Sequence, residues 1–337
     1  MKSKIKRYFE SLKPEKLGLK DKIKVSSVKL IGTGANNSNF LVIANKKKFT
    51  FRLNMLINSR TKTRSEFRSL KLIENLGIAP KAWILDDSRK IFDSDFTILD
   101  YIEGKSLNQK KYVIDSKLIR GVVKLMVKLH SMPLRGALLK LPKDENNYQD
   151  LLNKTKKHIN LKELDSNKKL LKIMKESYEG LKDRVPKKEK HPLVFTQGDI
   201  CDENIVTNKG ELKLIDFEGM VITDPASDIA YTLTQFGEKD LNERQRKKFL
   251  DEYLKLRKDS TLRKRVKIFI PLKNFIDLSW AISQVLKIRD KRIHKSFIKK
   301  NTLKDALVYA QKVFGRCIKD GTISGKYKDI DLKEELK

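Results

Sequence analysis

Phe195-Thr-Gln-Gly-Asp-Ile-Cys-Asp-Glu-Asn204 and, after seven intervening residues, Leu212-Lys-Leu-Ile-Asp-Phe-Glu218 form the stretch on which the reading of this chain turns. Asp199 follows a glycine in a tight-turn setting and lies five positions before Asn204. Twelve residues beyond Asn204, the mostly apolar run Leu212–Ile215 delivers a second aspartate, Asp216. One aspartate in such a place is an ordinary turn or helix-cap residue. The ordered set asks for more. Phosphoryl transfer needs one carboxylate to accept a hydroxyl proton and oxygen ligands to hold magnesium against nucleotide phosphates. Magnesium is satisfied by one or two protein carboxylates together with phosphate oxygens.

Working outward, residues 1–98 read as β-rich with one helix. Val28–Ile31, Phe40–Ala44 and Lys48–Leu53 have the composition of short strands, the first two separated by a Gly32–Ser38 loop. Phe67, Leu70, Ile73 and Leu76 recur every third residue and predict a helix over Ser65–Leu76, stopped by Gly77 and Pro80. Trp83–Leu85 and Phe96–Asp100 complete the small sheet. Beyond Gly104 the period becomes helical, in Asp115–His130, Tyr148–Ile159, Asn167–Leu181, Ala226–Phe236, Glu243–Leu256, Arg263–Lys287 and Leu303–Phe314. Short strands at Leu193–Phe195, Ile205–Thr207 and Leu212–Ile215 interrupt it. An α+β chain is expected, with a small β-rich lobe over 1–98, a hinge at 99–104 and a large, mostly helical lobe over 105–337.

Gly198-Asp199-(four residues)-Asn204 and Asp216-Phe217-Glu218 resemble the catalytic loop and metal motif of the aminoglycoside-phosphotransferase and choline-kinase superfamily. The resemblance covers roughly residues 28–236 and implies a protein-kinase-like fold. It implies that Asp199 is the catalytic base, and that Asn204 and Asp216 are magnesium ligands. It implies ATP, or another nucleoside triphosphate, as phosphate donor and a small-molecule hydroxyl as acceptor. Leu30-Ile-Gly-Thr-Gly-Ala-Asn-Asn-Ser-Asn-Phe40 resembles the family's phosphate loop, which would bring Gly32, Gly34, Asn37 and Ser38 to the nucleotide; by itself Gly-x-Gly is equally a β-turn. Arg52 falls where protein kinases carry a phosphate-binding lysine, with Glu66 as its expected partner. Either residue alone would read as a surface charge. Phe96–Gly104 resembles the hinge and puts Asp100 and Ile102 beside the nucleotide. Asp224-Pro-Ala-Ser-Asp228 resembles the family's helix-opening segment, from which Asp228 would brace the catalytic loop. The sequence departs from the pattern at Gln197, where the family usually has a histidine that supports the loop. His130 is read as structural, and Trp280 as a core residue rather than part of an acceptor pocket. A protein kinase in the strict sense is disfavoured, because no Asp-Phe-Gly and Ala-Pro-Glu pair brackets an activation segment.

The totals lead one to expect a cytoplasmic protein. Two cysteines far apart argue against a disulfide framework, and the start lacks the apolar stretch of a signal peptide. No membrane partner is expected. The formal charge of +32 has two readings: a polyanion partner, or a lysine-rich solvated surface. Lysine pairs scattered at 168–169, 187–188, 247–248 and 299–300 favour the second. The alternative function is a weakly active or inactive kinase-like protein that binds RNA or another polyanion through this surface. Against the general charge, residues 193–238 hold nine acids and two lysines, which suits a cationic amino or quaternary-ammonium alcohol as acceptor. If the surface is merely solvated, RNA and DNA should bind weakly and without selectivity, with Kd about 10⁻⁴–10⁻⁶ M at physiological salt and a steep loss as salt rises. Filter binding across a salt series measures this; a nanomolar, sequence-selective complex would establish the polyanion reading instead.

Overall fold

The computed structural model of the chain describes residues 1–33, 37–54, 60–109, 112–135, 147–158, 164, 167–186, 192–236, 241–290 and 303–336. Two compact units are formed, one from Met1–Pro142 with Phe195–Val221, the other from Lys143–Val194 with Ile222–Lys337. The motif-bearing segment 195–221 therefore belongs to the same unit as the amino-terminal strands.

In the first unit, β1 (Val25–Thr33), β2 (Asn37–Ala44), β3 (Lys47–Asn54), β4 (Ala82–Asp86) and β5 (Phe96–Asp100) build an antiparallel sheet of order β1-β2-β3-β5-β4. Period-two alternation gives β3 two characters. Phe49, Phe51 and Leu53 enter an apolar core with Phe40, Val42, Phe92, Phe96 and Ile98. The intervening Arg52 projects from the other face. Phe51 stacks on Phe96 with ring centroids 4.7 Å apart, a contact worth about 0.5–1.5 kcal/mol beyond area burial.

The core is closed by a helix the sequence reading left out. α1 (Lys2–Ser11) buries Ile5 and Phe9, one turn apart, against this aromatic cluster. Its signal was the short stripe Ile5, Tyr8, Phe9 and Leu12 among lysines, at i, i+3, i+4 and i+7, which the sequence reading passed over; tertiary burial supplies the stability that propensity does not. α2 (Arg60–Ile73) begins five residues before the predicted start and ends in a 3₁₀ turn, Glu74–Leu76, capped by left-handed Gly77. The strands β1 and β2 likewise run further than expected, so Gly32, Asn37 and Ser38 belong to the hairpin ladder rather than to an open loop.

The same unit contains a three-stranded sheet in which β8 (Ile205–Asn208) lies between β6 (Lys105–Ser106) and β9 (Glu211–Leu214). α3 (Ser116–His130) packs on β9, and only the absence of a side chain at Gly121 lets Leu212 come so near. Asp115 caps this helix through the Leu118 amide, and His130 is buried at its end, as a structural residue would be. The strands β7 (Val194–Thr196) and β10 (Val221–Thr223) carry the chain from one unit to the other.

The second unit is helical: α4 (Asn147–His158), α5 (Lys168–Arg184), α6 (Pro225–Gln235), α7 (Glu243–Leu256), α8 (Leu262–Arg289) and α9 (Leu303–Lys319). α8 packs on α4, α6 and α9. Asp224 caps α6 through the Ala226 amide and is also gripped by buried Arg265 of α8, Nε to Oδ2 at 2.7 Å; Arg265 in turn binds Asp259 at 2.7 Å. Asp228 is buried in the first turn of α6. Trp280 is not the core residue the sequence suggested. It is 38% exposed and meets Tyr309 edge-on, because its position on α8 turns away from the buried stripe. Among the described residues no helix is long and apolar enough to cross a membrane.

Gly104 marks where the chain leaves the β5 strand for β6. Its φ is +126°, and a side chain there would collide with the Thr207 carbonyl oxygen. Gly104→Ala is expected to destabilise the protein by about 1–3 kcal/mol, read as a lowered denaturant midpoint. An unchanged midpoint would show that the β6–β8 pairing can shift freely.

Candidate active site

The site is assembled from four segments of one unit. β3 supplies Arg52, α2 supplies Glu66, the turn after β7 supplies Asp199 and Asn204, and the residues after β9 supply Asp216 and Glu218. Arg52 is the hub. Its Nη2 donates to Asp216 Oδ1 at 3.0 Å, its Nε lies 3.5 Å from Glu66 Oε2, and Nη2 stands 3.9 Å from Glu218 Oε1. Arg52 and Glu66 are buried. Burial opposes the charge on Arg52, but the carboxylates of Glu66, Asp216 and Glu218 outweigh it and push its pKa above the ordinary value. For Glu66, burial acts first and upward; Arg52 pulls back, Asp216 and Glu218 add to the rise, and the Phe217 amide opposes it, leaving the carboxyl above its usual range.

The turn around Asp199 is tied to this cluster through the main chain. Asn204 Nδ2 donates to the Asp199 carbonyl at 2.9 Å and to Asp199 Oδ2 at 2.8 Å. The Ile215 amide donates to the Asn204 carbonyl at 2.9 Å, which sets Asn204 beside Asp216. Gly198 has φ +84°, and a side chain there would lie 2.7 Å from the Gly219 carbonyl oxygen. The glycine before Asp199 is thus required twice, for its backbone and for its lack of bulk. Asp216 itself is left-handed, with φ +62°, an uncommon state for a non-glycine residue. Cys201, two residues past Asp199, is no nucleophile: burial, then the Asp199 charge, drive its thiol pKa well above the usual value.

The expected site residues fall into three groups. Arg52, Glu66 and Asp216 meet directly, and Asp199 and Asn204 join them through short bonds. Gly32, Asn37 and Ser38 lie at the same end of the sheet as Arg52, since Gly32 pairs with Asn39, and Asn39 with Arg52. Gly34 lies outside the described residues. Asp100 pairs with Phe49, three residues along β3 from Arg52, so about 10 Å away at strand rise. The Asp100 carboxylate is taken by Trp83 Nε1 at 2.6 Å and faces Lys47 Nζ at 3.7 Å. Lys47 and Lys81 also stand over the Trp83 ring, 4.0 and 4.5 Å from its centroid. Asp100 and Ile102 line an open cleft of about 730 Å³ with Lys46–Lys48, Lys81 and Lys213, and none of the Arg52 cluster borders it. Glu218 was not among the expected site residues. It lay within the quoted motif, and its two-residue spacing from Asp216 was the available signal.

Among the described residues no three His, Cys, Asp or Glu side chains converge to hold a metal. The donor set that exists is the Asp216 carboxylate and the Asn204 amide oxygen, both hard oxygen donors, beside a cluster in which one guanidinium faces three carboxylates. That chemistry suits magnesium shared with a phosphorylated ligand better than an all-protein cage.

A sequence model of the phosphotransferase enzyme family matches residues 27–268. No curated protein matches the chain by sequence. Among solved structures, the chain resembles a Ralstonia eutropha protein assigned as an aminoglycoside phosphotransferase (TM-score 0.67, 13% identity, covering 94% of this chain and 98% of that one). It also resembles choline kinase from Cryptosporidium parvum (TM-score 0.65, 18% identity, 92% and 93%). A third likeness is to spectinomycin phosphotransferase in complex with ADP and spectinomycin (TM-score 0.62, 11% identity, 89% and 95%). The fold is the kinase-like one these proteins share.

Removing the hub cation should expose what it holds. Arg52→Met leaves Glu66 and Asp216 without their counter-charge and is expected to cost about 3–5 kcal/mol in denaturant unfolding. Adding Glu66→Gln should recover part of that loss. Strictly additive losses in the double variant would mean that the two residues are not coupled.

Proposed function

Because the chain belongs to the phosphotransferase enzyme family, we propose that it transfers the γ-phosphate of ATP to a hydroxyl group of a small molecule. The observation that carries this reading is the junction of Asp199, Asn204 and Asp216 with Arg52 and Glu66 in one unit.

Asp199 accepts the acceptor's hydroxyl proton as the hydroxyl oxygen attacks the γ-phosphorus. The bond from that phosphorus to the β–γ bridging oxygen breaks, and ADP leaves with the electron pair. Asn204, donating to Asp199 Oδ2, fixes the orientation of the carboxylate that takes the proton. Asn204 and Asp216 would hold magnesium, which when bound neutralises charge on the phosphate oxygens. Arg52, held in register by β2 and β5 and braced by Glu66, would meet donor phosphate. Gly32, Asn37 and Ser38 approach that phosphate from the β1–β2 hairpin, and the main chain of Asp100–Ile102 meets the base.

For the acceptor, the acidity of residues 193–238 within a chain of +32 favours a cation-bearing alcohol. Choline and spectinomycin, which appear in the names of structural neighbours, are both hydroxyl compounds carrying cationic nitrogen. A coupled ADP-release assay over amino alcohols, aminoglycosides, sugars and nucleosides tests the class. With the best acceptor, Asp199→Asn is expected to lower kcat by about 10²–10⁴ while nucleotide affinity stays near that of the parent. Asp216→Ala should abolish magnesium-dependent nucleotide binding in calorimetry. Wild-type turnover in the first variant, or an unaltered isotherm in the second, would sink the assignment.

A further inference from the structure

Gln197 lies between the two aspartates and is fully buried. Its Oε1 accepts from the Asp199 amide at 2.6 Å. Its Nε2 donates to the Asp216 carbonyl at 2.6 Å and to the Ile215 carbonyl at 3.3 Å. A primary amide offers one acceptor oxygen and two N–H donors, and here one N–H group and two carbonyls surround it. The opposite orientation would set NH₂ against the Asp199 N–H and oxygen against two carbonyls, so the network dictates which end points where.

The amide works inside a wider seam. Thr196 Oγ1 donates to the Val221 carbonyl at 2.9 Å, and Gly198 closes on the Gly219 carbonyl. Thr196 and Gln197 are thus hydrogen-bonded to Val221 and to Ile215–Asp216, while Gly198 packs closely against Gly219. Asp216 is the one residue of that second segment with a left-handed, non-glycine backbone, and its carbonyl receives one of the two shortest bonds of the amide.

We infer that Gln197 is a positioning residue whose amide oxygen sets the backbone of Asp199 and whose amide nitrogen holds Asp216 in its left-handed conformation. The inference rests on the kinase reading for what the two aspartates do, though not for where they are held. An imidazole at this position, as the family resemblance leads one to expect, has a single N–H when neutral and cannot serve all three backbone groups. This chain reaches both aspartates with one uncharged side chain.

Two variants test the hold on Asp216. Gln197→Met fills the volume and makes none of the bonds. Gln197→His keeps one donor for the Asp216 carbonyl. Nucleotide isotherms at graded magnesium, with melting curves to confirm folding, should show Gln197→Met needing about 10–100-fold more magnesium for half-saturation, the range for losing a group that orients a metal ligand. Gln197→His should recover most of that shift, and the KM for the acceptor should stay unchanged in both. If Gln197→His binds magnesium no better than Gln197→Met, or both match the parent within about twofold, well below that range, the inference fails. Crystal structures of parent and variants give a second readout that owes nothing to activity. Asp216 should leave φ near +62° in Gln197→Met and keep it in Gln197→His. An unmoved Asp216 in Gln197→Met overturns the proposal. A parent protein with no magnesium-dependent isotherm would defeat the kinase reading and leave this backbone measurement to decide the inference by itself.

Discussion

A buried guanidinium facing three carboxylates is a demanding arrangement, since taking ions out of water costs several kcal/mol for each before any pairing is counted. Arg52 makes it tenable by reaching Glu66, Asp216 and Glu218 at once. The partners come from two separate parts of the unit, Glu66 from α2 and Asp216 with Glu218 from the segment after β9, so the cluster does more than neutralise charge. It fixes α2 against the sheet and fixes the segment after β9 against both. The aromatic core on the far side of the sheet makes this possible: Phe49 and Phe51 anchor β3, and alternation then leaves Arg52 no other direction.

A second consequence is electrostatic. The chain carries +32 overall, yet the cluster leaves a surplus of negative charge around its single cation. A divalent ion is attracted to such a place even though the protein as a whole repels cations. On the proposed reading the basic surface would draw a polyphosphate toward the molecule, and the acidic cluster would offer a site for its metal. The two parts of the charge distribution thus suit a metal–nucleotide complex better than either component alone.

Much of the site was legible in the chain because its key residues sit in short, rigid contexts. Phe96–Asp100 and Glu243–Leu256 appear where their patterns put them, and Asn204 bonds Asp199 directly while its carbonyl takes the amide of Ile215, the neighbour of Asp216. What escaped notice depended on partners distant in sequence. α1 carries only a short apolar stripe, Ile5, Tyr8, Phe9 and Leu12, and is stable because these residues find the sheet. Arg265, on α8, gives no local sign that it grips Asp224, 41 positions earlier. Trp280 was read as a core residue because large aromatic residues usually are, and which way a side chain on a long buried helix turns is decided by its neighbours. At Gln197 the substitution was visible but its bonds were not, since an amide's value lies in which groups surround it.

The chain has two tryptophans, and the fold puts one in each unit. Trp83 is clasped between two lysine ammonium groups and donates to a carboxylate, a strongly polar and fixed setting for an indole. Trp280 is partly in solvent with the edge of a tyrosine against it. Replacing either one by phenylalanine leaves a single tryptophan, and with excitation at the red edge, where the nine tyrosines absorb little, the two proteins report separately on the sheet-bearing and the helical unit. Unequal melting of the two emissions would then reveal whether the halves of this chain unfold together or one at a time, with no dye attached.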